Sequence, residues 1–218
     1  MYQIPKGRLI ILRIITCVVI FFALIISLVA GFFVVYTRTY VNGTSMSPTL
    51  NEMYSQTGKR DKVYINRFNK GKVGDIVVLD LRQDANFGNY TIKRLIALEG
   101  DIVNIEFDSQ ELQYNLVVNG KVIQSKQNKQ GGYNSYGCFV DYVTMHEQDE
   151  TRVIKNEQNE VEGIIIKKGE IFVLGDNWDV SKDSSLVGPI DKNTIVGRVD
   201  IVVRPKQNEF LTILKRIF

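Results

Sequence analysis

The sequence predicts a mainly β domain, built as an antiparallel sheet or barrel-like arrangement with a smaller β-rich lobe, that follows one transmembrane helix. The helix is indicated by an apolar run of 23 uncharged residues, from position 14 to position 36. The β domain is indicated by many short runs of β-branched and aromatic residues separated by turn signals. No long amphipathic helical pattern follows position 36, which favours the same fold class.

The apolar run is long enough to cross a bilayer. At about 1.5 Å of rise per residue the helix spans roughly 35 Å, and the hydrocarbon core is roughly 30 Å thick. Lys6, Arg8 and Arg13 precede the run, whereas no acidic residue occurs before Glu52. Because basic flanks stay in the cytoplasm, a single-pass protein of the cell membrane is expected. Its predicted segments are a cytoplasmic N-terminus (1–13), a transmembrane anchor (14–36) and an extracytoplasmic domain (37–218).

Two other interpretations of the apolar run fit the sequence less well. A core helix of a soluble protein usually has a polar face, and this run has almost none. A cleaved secretory signal has an apolar core of about 7–15 residues. Ala30-Gly31 offers the small residues of a cleavage site, but the apolar run continues to Tyr36. An uncleaved anchor is therefore predicted.

Composition argues against several classes of protein. The chain has 27 basic and 24 acidic residues, a net charge of +3, which gives no support for nucleic-acid binding and is compatible with weak attraction to anionic lipid. Cys17 lies in the anchor and Cys138 outside it, so a disulfide is not expected. The one histidine, His146, lies in a polar stretch and is predicted to be a solvated loop residue. Neither a metal site, a cofactor nor a Ser-His-Asp triad is predicted.

Strand patterns run through the outer region. The runs are rich in β-branched or aromatic residues, and several alternate apolar with polar. Asn119-Gly120 supplies the positive φ angles of a tight hairpin turn. The predicted strands are 75–79, 90–96, 102–107, 116–118, 121–123, 164–166, 171–174 and 195–203.

Two segments differ from this pattern. The stretch 124–162 is dense in Gln, Asn, Lys and Glu, with Gly131-Gly132 and Gly137, and is predicted to be a surface lobe or ribbon with mobile loops. The tail 210–218 is apolar and basic. It is expected either to lie on the bilayer or to form a short helix packed on the domain.

A serine and a lysine carry the chemical signal. Ser45 lies in a turn bounded by Gly43 and Pro48, and a serine hydroxyl is a poor nucleophile until a base takes its proton. With one histidine in the chain, lysine is the remaining base, provided that burial lowers its pKa from about 10.4. Lys93 fits because it interrupts the otherwise packable strand 90–96. Taken singly, a turn-forming serine and a solvent-facing strand lysine remain the commoner explanations.

Four segments, in order after the anchor, resemble the type I signal peptidases, which are membrane-anchored serine proteases, and in particular their Gram-positive-like branch. The resemblance covers the anchor and nearly all of the outer region. It implies that 37–218 is a catalytic domain with an inserted lobe at about 104–165. The four segments are 45–50 (nucleophile box), 74–78 (following strand), 90–94 with 99–101 (general-base box) and 175–184 (last box).

The resemblance implies a role for each matching residue. Ser45 would attack the scissile carbonyl, and its backbone N–H would help to bind the oxyanion. Lys93, as a neutral amine, would accept the serine proton and pass it to the leaving amine. Ser181 would orient Lys93, and Asp183 would brace the last box. A turn shaped by Asp176-Asn177 is expected there under either interpretation.

The resemblance also implies the substrates, which are secretory preproteins with small residues at the first and third positions before the cut. An extended peptide can add to a sheet edge while alternate side chains enter shallow pockets. Met46, Tyr90 and Ile92 are candidate substrate-binding residues at such an edge. The lipid bilayer is the other expected partner.

Three positions depart from the family pattern. Gly43 stands where some members have a serine that supplies a second oxyanion donor, although Gram-positive relatives commonly have glycine. Trp178 and Ser185 occupy usual arginine positions, so Asp183 lacks its expected ionic partner within the box. An alternative is therefore a specialised or non-catalytic relative that assists pilus or surface-protein assembly, although retention of the serine and lysine argues against loss of catalysis. The anchor disfavours a third candidate, a self-cleaving Ser/Lys repressor.

Overall fold

The computed structural model describes residues 6–127 and 135–217, so the predicted loop at Gly131-Gly132 lies outside the described residues. The chain divides into two compact units between Thr37 and Arg38. The first unit contains helix α1, Lys6–Val35. Its segment Ile10–Val35 is long and apolar enough to cross a membrane, and none of that segment is buried. A helix that is apolar on every face requires either a protein core or lipid around it.

The rest of the described chain is mostly β structure, with four short α-helices and one turn of 3-10 helix, Lys192–Thr194. The helices are α2 (Tyr54–Thr57), α3 (Ser135–Met145), α4 (Ser184–Val187) and α5 (Glu209–Ile217). The strands are β1 (Tyr36–Tyr40), β2 (Lys62–Asn66), β3 (Ile76–Leu81), β4 (Asn89–Leu98), β5 (Ile102–Asp108), β6 (Gln113–Val118), β7 (Lys121–Gln127), β8 (Val153–Lys155), β9 (Val161–Ile165), β10 (Glu170–Leu174), β11 (Ile190–Asp191) and β12 (Ile195–Val203).

The strands form two sheets. The larger has the order β1-β2-β12-β3-β4-β10-β11, and the smaller has the order β7-β6-β5-β9-β8. The strand pairs among β2 to β12 run antiparallel, including the β6–β7 hairpin across Asn119-Gly120. The prediction of a mainly antiparallel β fold after an apolar helix is confirmed.

Packing divides the core into three clusters of buried apolar side chains. One lies between the two sheets, with Phe172 and Leu174 from the larger sheet and Leu116 and Ile164 from the smaller. A second packs β3, β4 and β10 against β11 and β12. The third lies under the segment that follows β1. The second and third clusters use opposite sides of β3, since successive strand residues point to opposite faces.

The segment 124–162, predicted to be a surface lobe or ribbon, contains a helix that the prediction did not include. Phe139, Tyr142 and Val143 of α3 are buried in the cluster between the sheets. Apolar residues therefore recur at helical spacing within a stretch whose overall composition is polar. His146, predicted to be a solvated loop residue, lies just beyond α3, half-buried and stacked on the ring of Tyr142.

The tail forms the short helix α5. Asn208 caps it, with its side-chain oxygen accepting a hydrogen bond from the backbone N–H of Leu211 at 3.1 Å. Glu209 accepts hydrogen bonds from Lys62 Nζ at 2.5 Å and from the Tyr64 hydroxyl. The beginning of α5 is thereby attached to β2.

Candidate active site

Ser45 lies in a turn that follows β1. The turn begins at Gly43, whose φ of +74° is in the region that favours glycine. Met46 and Leu50 hold the turn on the domain, because both side chains are buried in the third core cluster. Ser45 itself is half-buried. The local sequence thus presents a hydroxyl on a turn that its apolar neighbours fix in place.

Asn51 fastens the same turn, although no sequence motif marks it as a functional residue. Its side-chain N–H groups donate to the carbonyl oxygens of Val41 at 2.8 Å and Gly43 at 2.9 Å. Its side-chain oxygen accepts from the backbone N–H of Asp61 at 2.7 Å. The only signal in the sequence was the general preference of Asn for turns and left-handed backbone, which Asn51 adopts at a φ of +56°.

Lys93 lies in the middle of β4 and is only 2% exposed. Its neighbour two residues on, Leu95, belongs to the second core cluster. Lys93 Nζ donates a hydrogen bond to Ser181 Oγ at 3.0 Å, and Ser181 is buried as well. An amine with an apolar surrounding and one hydroxyl partner is the arrangement in which a lysine most readily loses its charge.

Gly175 joins the serine turn to the lysine site. A Cβ atom at Gly175 would collide with both Ser181 Oγ and the carbonyl oxygen of Ser45, so both groups lie against the same backbone. The next residues extend the contact: the Asn177 backbone N–H donates to Ser45 O at 2.9 Å, and its side-chain amide donates to Thr44 O at 3.2 Å. The turn carrying Ser45 therefore docks directly on the loop whose Ser181 holds Lys93.

Asp183 organises that loop from inside. It is fully buried and begins α4. One carboxylate oxygen accepts from the backbone N–H of Gly175 at 2.9 Å. The other accepts from the backbone N–H of Ser185 at 3.1 Å and from its hydroxyl at 2.8 Å. Asp183 thus ties the two ends of the Gly175–Ser185 segment together.

Asp176 ties the Gly175–Ser185 loop to strands β4 and β7. Both of its carboxylate oxygens accept from the Arg94 guanidinium, at 2.8 and 2.6 Å. Arg94 also donates to the carbonyl of Gly74 at 2.7 Å, and Lys126 Nζ of β7 donates to the backbone carbonyl of Asp176 at 2.8 Å. A bidentate pair of this kind fixes orientation as well as distance. It therefore holds the loop against the strand that carries Lys93.

Comparison with known proteins identifies the family. The family described as signal peptidase, peptidase S26, matches residues 12–204. The chain belongs to this signal peptidase family. The resemblance to the type I signal peptidases, seen in the nucleophile, general-base and last boxes, is confirmed.

Individual members of the signal peptidase family match over most of the chain. It is 34% identical to signal peptidase IB of Staphylococcus aureus over 180 residues, covering 81% of this chain and 82% of that protein. It is 30% identical to signal peptidase I of Bacillus licheniformis over 168 residues, covering 76% of this chain and 75% of that protein. A crystal structure of a signal peptidase I from Enterococcus faecalis aligns at 21% identity and a TM-score of 0.35, over 59% of this chain and 96% of that one.

The departures of this signal peptidase from the family pattern have local explanations. At Ser185, where an arginine is usual, the uncharged backbone N–H and hydroxyl donate two hydrogen bonds to Asp183 in place of an ion pair. Trp178 is 4% exposed in the core cluster between the sheets. Its carbonyl accepts from the backbone N–H and hydroxyl of Ser135, at 3.0 and 3.3 Å. Packing against α3 therefore replaces a charged side chain at that point of the last box.

The electrostatics of Lys93 combine two opposing effects. Burial lowers the pKa of Lys93 below its ordinary value, since the charged ammonium loses its hydration. The carboxylates of Asp183 and Asp176 act in the other direction, because negative charge favours the ammonium form. Burial is the larger effect, so the pKa of Lys93 is lowered overall.

The candidate substrate-binding residues occupy different environments. Tyr90 is exposed on β4 with the Arg82 guanidinium 4.6 Å from its ring centre. Ile92 is half-buried and packs on the third core cluster. Met46 is buried in that cluster, beneath the Ser45 turn. Within the described residues, no hydrogen bond joins Ser45 Oγ to Lys93 Nζ, and active-site hydrogen bonds often tighten only when substrate binds.

The β4 strand has an open edge beside this site. Pairing with β10 begins at Arg94, opposite Leu174, and continues to Leu98. The preceding residues Asn89–Lys93 pair with β3 on one side only. Among the described strands none covers the other side, so backbone donors and acceptors are open there for an added strand.

Proposed function

We propose that this protein is a membrane-bound serine endopeptidase that removes N-terminal signal peptides from secretory preproteins. One observation carries the proposal. Gly175 and Asn177 hold the Ser45 turn against the loop whose Ser181 binds the buried Lys93. A hydroxyl on a fixed turn and a buried amine, supported by one loop, are the two parts of a Ser/Lys dyad. Membership of the signal peptidase family supports the same conclusion.

In this mechanism Lys93 acts as a neutral amine. It accepts the proton of the Ser45 hydroxyl while the serine oxygen attacks the carbonyl carbon before the scissile bond. The Ser45 backbone N–H stabilises the resulting oxyanion. Lys93 then gives its proton to the departing amine, and the signal peptide remains as an ester on Ser45. Water, deprotonated by Lys93, hydrolyses that ester and restores the hydroxyl.

Two further residues are proposed to position Lys93 for catalysis. Ser181 holds Lys93 Nζ in position by the 3.0 Å hydrogen bond. Asp183 fixes the loop that bears Ser181, through its hydrogen bonds to Gly175 and Ser185. The lowered pKa of Lys93 makes a neutral amine available nearer to neutral pH, which a free lysine does not provide.

The substrate is proposed to add as a strand along the open edge of β4. Main-chain hydrogen bonds to Asn89–Lys93 would align the peptide, while alternate side chains enter pockets on the domain. Tyr90 and Ile92 belong to this strand, and Met46 lies under the adjacent turn. Shallow pockets account for the small residues that family members require at the first and third positions before the cut.

The enzyme is proposed to cross the cell membrane once, with its N-terminus in the cytoplasm. Arg8 and Arg13 form the basic flank that favours this orientation. Ser45 lies nine residues after Tyr36 in the sequence, a stretch that reaches at most about 30 Å when extended. Ser45 is therefore limited to the region near the outer membrane surface, where the apolar segment of a signal peptide ends.

Cleavage of a defined preprotein tests this function. Full-length enzyme in detergent is incubated with a preprotein that has alanine at the first and third positions before the cut, and the product is sequenced from its N-terminus. The matched control preprotein carries leucine at both positions. We expect a single cut, directly after the alanine at the first position. Cleavage of the control is expected to be slower by about 100-fold, because each pocket rejects extra methylene groups. Absence of cleavage, or equal cleavage of both preproteins, would contradict the proposal.

A further inference from the structure

Helix α5 has an apolar face that the domain covers only in part. Phe210 is 68% exposed and Leu211 is 53% exposed. Ile213 and Leu214 are half-buried and lie on the same side of the helix as these two residues. Charged residues occupy the remaining side, with Lys215 and Arg216 exposed in the last turn. A short helix with this division between its faces is suited to the boundary between water and acyl chains.

A basic cleft adjoins the beginning of α5. Its volume is about 470 Å³. Lys59 and Arg60 are exposed and form no ion pair among the residues that the structure describes. The Arg60 guanidinium and Lys62 ammonium lie 5.4 and 5.5 Å from the ring centre of Tyr40. The charged and aromatic residues that line the cleft are Tyr40, Lys59, Arg60, Lys62, Arg204 and Glu209.

The acidic residue that lines this cleft, Glu209, is already neutralised, and so is the neighbouring Asp61. Glu209 bonds to Lys62 at 2.5 Å and lies 3.6 Å from Arg38. Asp61 is buried and pairs with Arg204 at 2.9 Å. The exposed charge among the residues that line the cleft is therefore positive, and it matches the phosphate groups of an anionic bilayer.

The sequence keeps this surface near the apolar helix. Arg38, the residue beside Glu209, follows Val35 at the end of α1 by three residues. Whatever the orientation of α1, three residues reach at most about 10 Å. If α1 crosses a bilayer, the beginning of α5 cannot lie far from the surface of that bilayer.

We propose that α5 and the basic cleft form a docking surface for anionic phospholipid. Phe210 and Leu211 lie among the upper acyl chains, and the basic side chains beside Tyr40 contact lipid phosphates. Tyrosine beside lysine and arginine is typical of side chains at the membrane interface. A bilayer fits better than a protein partner, because the apolar face, the positive charge and the short connection to α1 all occur together. The docking is independent of the proteolytic function, since none of these residues belongs to the Ser45 site.

Quenching by brominated lipid tests the apolar contact. Full-length F210W is reconstituted into bilayers of phosphatidylglycerol with brominated acyl chains, with F68W as the matched control. Phe68 is 75% exposed in the turn after the opposite end of β2, and the native Trp178 is buried and gives a constant background. We expect the added emission of F210W to fall about twofold relative to F68W, because bromine quenches only residues that reach the acyl region. Near-ultraviolet circular dichroism establishes that both variants are folded.

The outcomes separate the possible occupants of the surface. Equal quenching of the two variants would overturn the proposal. Protection of F210W from aqueous acrylamide without quenching by brominated lipid would also overturn it, and would indicate that protein, such as a second copy of the chain, covers α5.

A second arm tests the anionic preference. Each basic residue held at an anionic surface strengthens attachment about fivefold, so K59Q with R60Q in the F210W background is expected to reduce the quenching in phosphatidylglycerol. The control pair is K121Q with K168Q, which removes the same charge from exposed lysines in other parts of the domain. The preference for anionic lipid would be overturned if F210W were quenched as strongly in brominated phosphatidylcholine as in brominated phosphatidylglycerol. Equal effects of the K59Q/R60Q pair and the K121Q/K168Q pair would overturn it as well.

Discussion

Lys93 is a buried amine whose surroundings contain both apolar groups and carboxylates. Its 2% exposure removes the hydration that an ammonium group needs, while Asp183 and Asp176 supply negative charge that favours the ammonium. The balance leaves the pKa of Lys93 below its ordinary value. The two carboxylates therefore do more than hold the loop, because they also set how far that pKa falls.

The variant D183N is expected to move the acid side of the pH–rate profile to lower pH. The neutral amide removes a negative charge that favours the ammonium, so the pKa of Lys93 decreases further. The measurement is kcat/KM for preprotein cleavage as a function of pH, in which the position of the limb is independent of any general loss of activity. E147Q, a change of the same kind in an exposed ion pair with Lys155, serves as the control. If the acid limb of the D183N profile stayed in place or moved to higher pH, the conclusion that Asp183 raises the pKa of Lys93 would be contradicted.

Lys93 is expected to lower the free energy of unfolding of the domain at neutral pH. Because the folded state binds the proton more weakly, the unfolded state carries more protons between the lowered pKa and about 10.4, and stability rises with pH across that window. K93M is thus expected to be more stable than the parent at pH 7, by about 1–3 kcal/mol. The difference should shrink as the pH approaches 10.

Urea unfolding of the parent and K93M at several pH values measures this difference. K121M, at an exposed lysine in the β6–β7 hairpin, should show no such dependence. A K93M protein that is less stable than the parent at neutral pH would show that burial of Lys93 is not the dominant effect.

At the scale of elements, α3 and α4 support the loop that holds Lys93. Gly188 ends α4 with a φ of +80°, and a Cβ atom there would collide with the ring of Tyr142 on α3. Ser184 of α4 also accepts a hydrogen bond from the backbone of Val173 in β10 at 3.1 Å. The position of Asp183 at the start of α4 therefore depends on close contact between the two helices.

Replacing Gly188 by alanine is expected to destabilise the domain by about 3 kcal/mol, since both the backbone conformation and the helix contact are lost. The matched control is G58A, at a glycine with a φ of +65° and open space around its Cα, for which about 1 kcal/mol is expected. Thermal unfolding followed by circular dichroism measures both. Similar losses in the two variants would mean that the contact of Gly188 with Tyr142 contributes little.

An element could be predicted where a local sequence pattern marks it, and could not where the pattern is diluted or absent. Strands β3, β4 and β5 were predicted because β-branched and aromatic residues are concentrated in them, and the β6–β7 hairpin because Asn119-Gly120 matches its turn. Helix α3 was not predicted, because its apolar residues are diluted by the surrounding polar composition. The hydrogen bonds of Asp183 to Ser185 were also inaccessible, since a missing arginine does not reveal which neutral group replaces it.

At the scale of the whole molecule, the candidate site is assembled from segments far apart in the chain. The Ser45 turn, Lys93 and the Gly175–Ser185 loop are brought together by the pairing of β4 with β10 and by the loop that packs beside them. Residue patterns alone identified a turn serine and a lysine in an apolar strand, and family resemblance was needed to connect them. The sequence suggested a sheet edge near Tyr90 and Ile92, but not how far the open edge of β4 extends, because that depends on where pairing with β10 begins.

The Ser/Lys dyad is tested most directly by comparing initial rates of preprotein cleavage across four variants. S45A and K93A should each lose at least about 10³-fold in rate, because the nucleophile and its base act as a unit. S47A, in the same turn, and K121A, in the β6–β7 hairpin, are the matched controls and should retain activity close to that of the parent. Cleavage by folded S45A or K93A at a rate comparable to its control would contradict the assignment of the dyad.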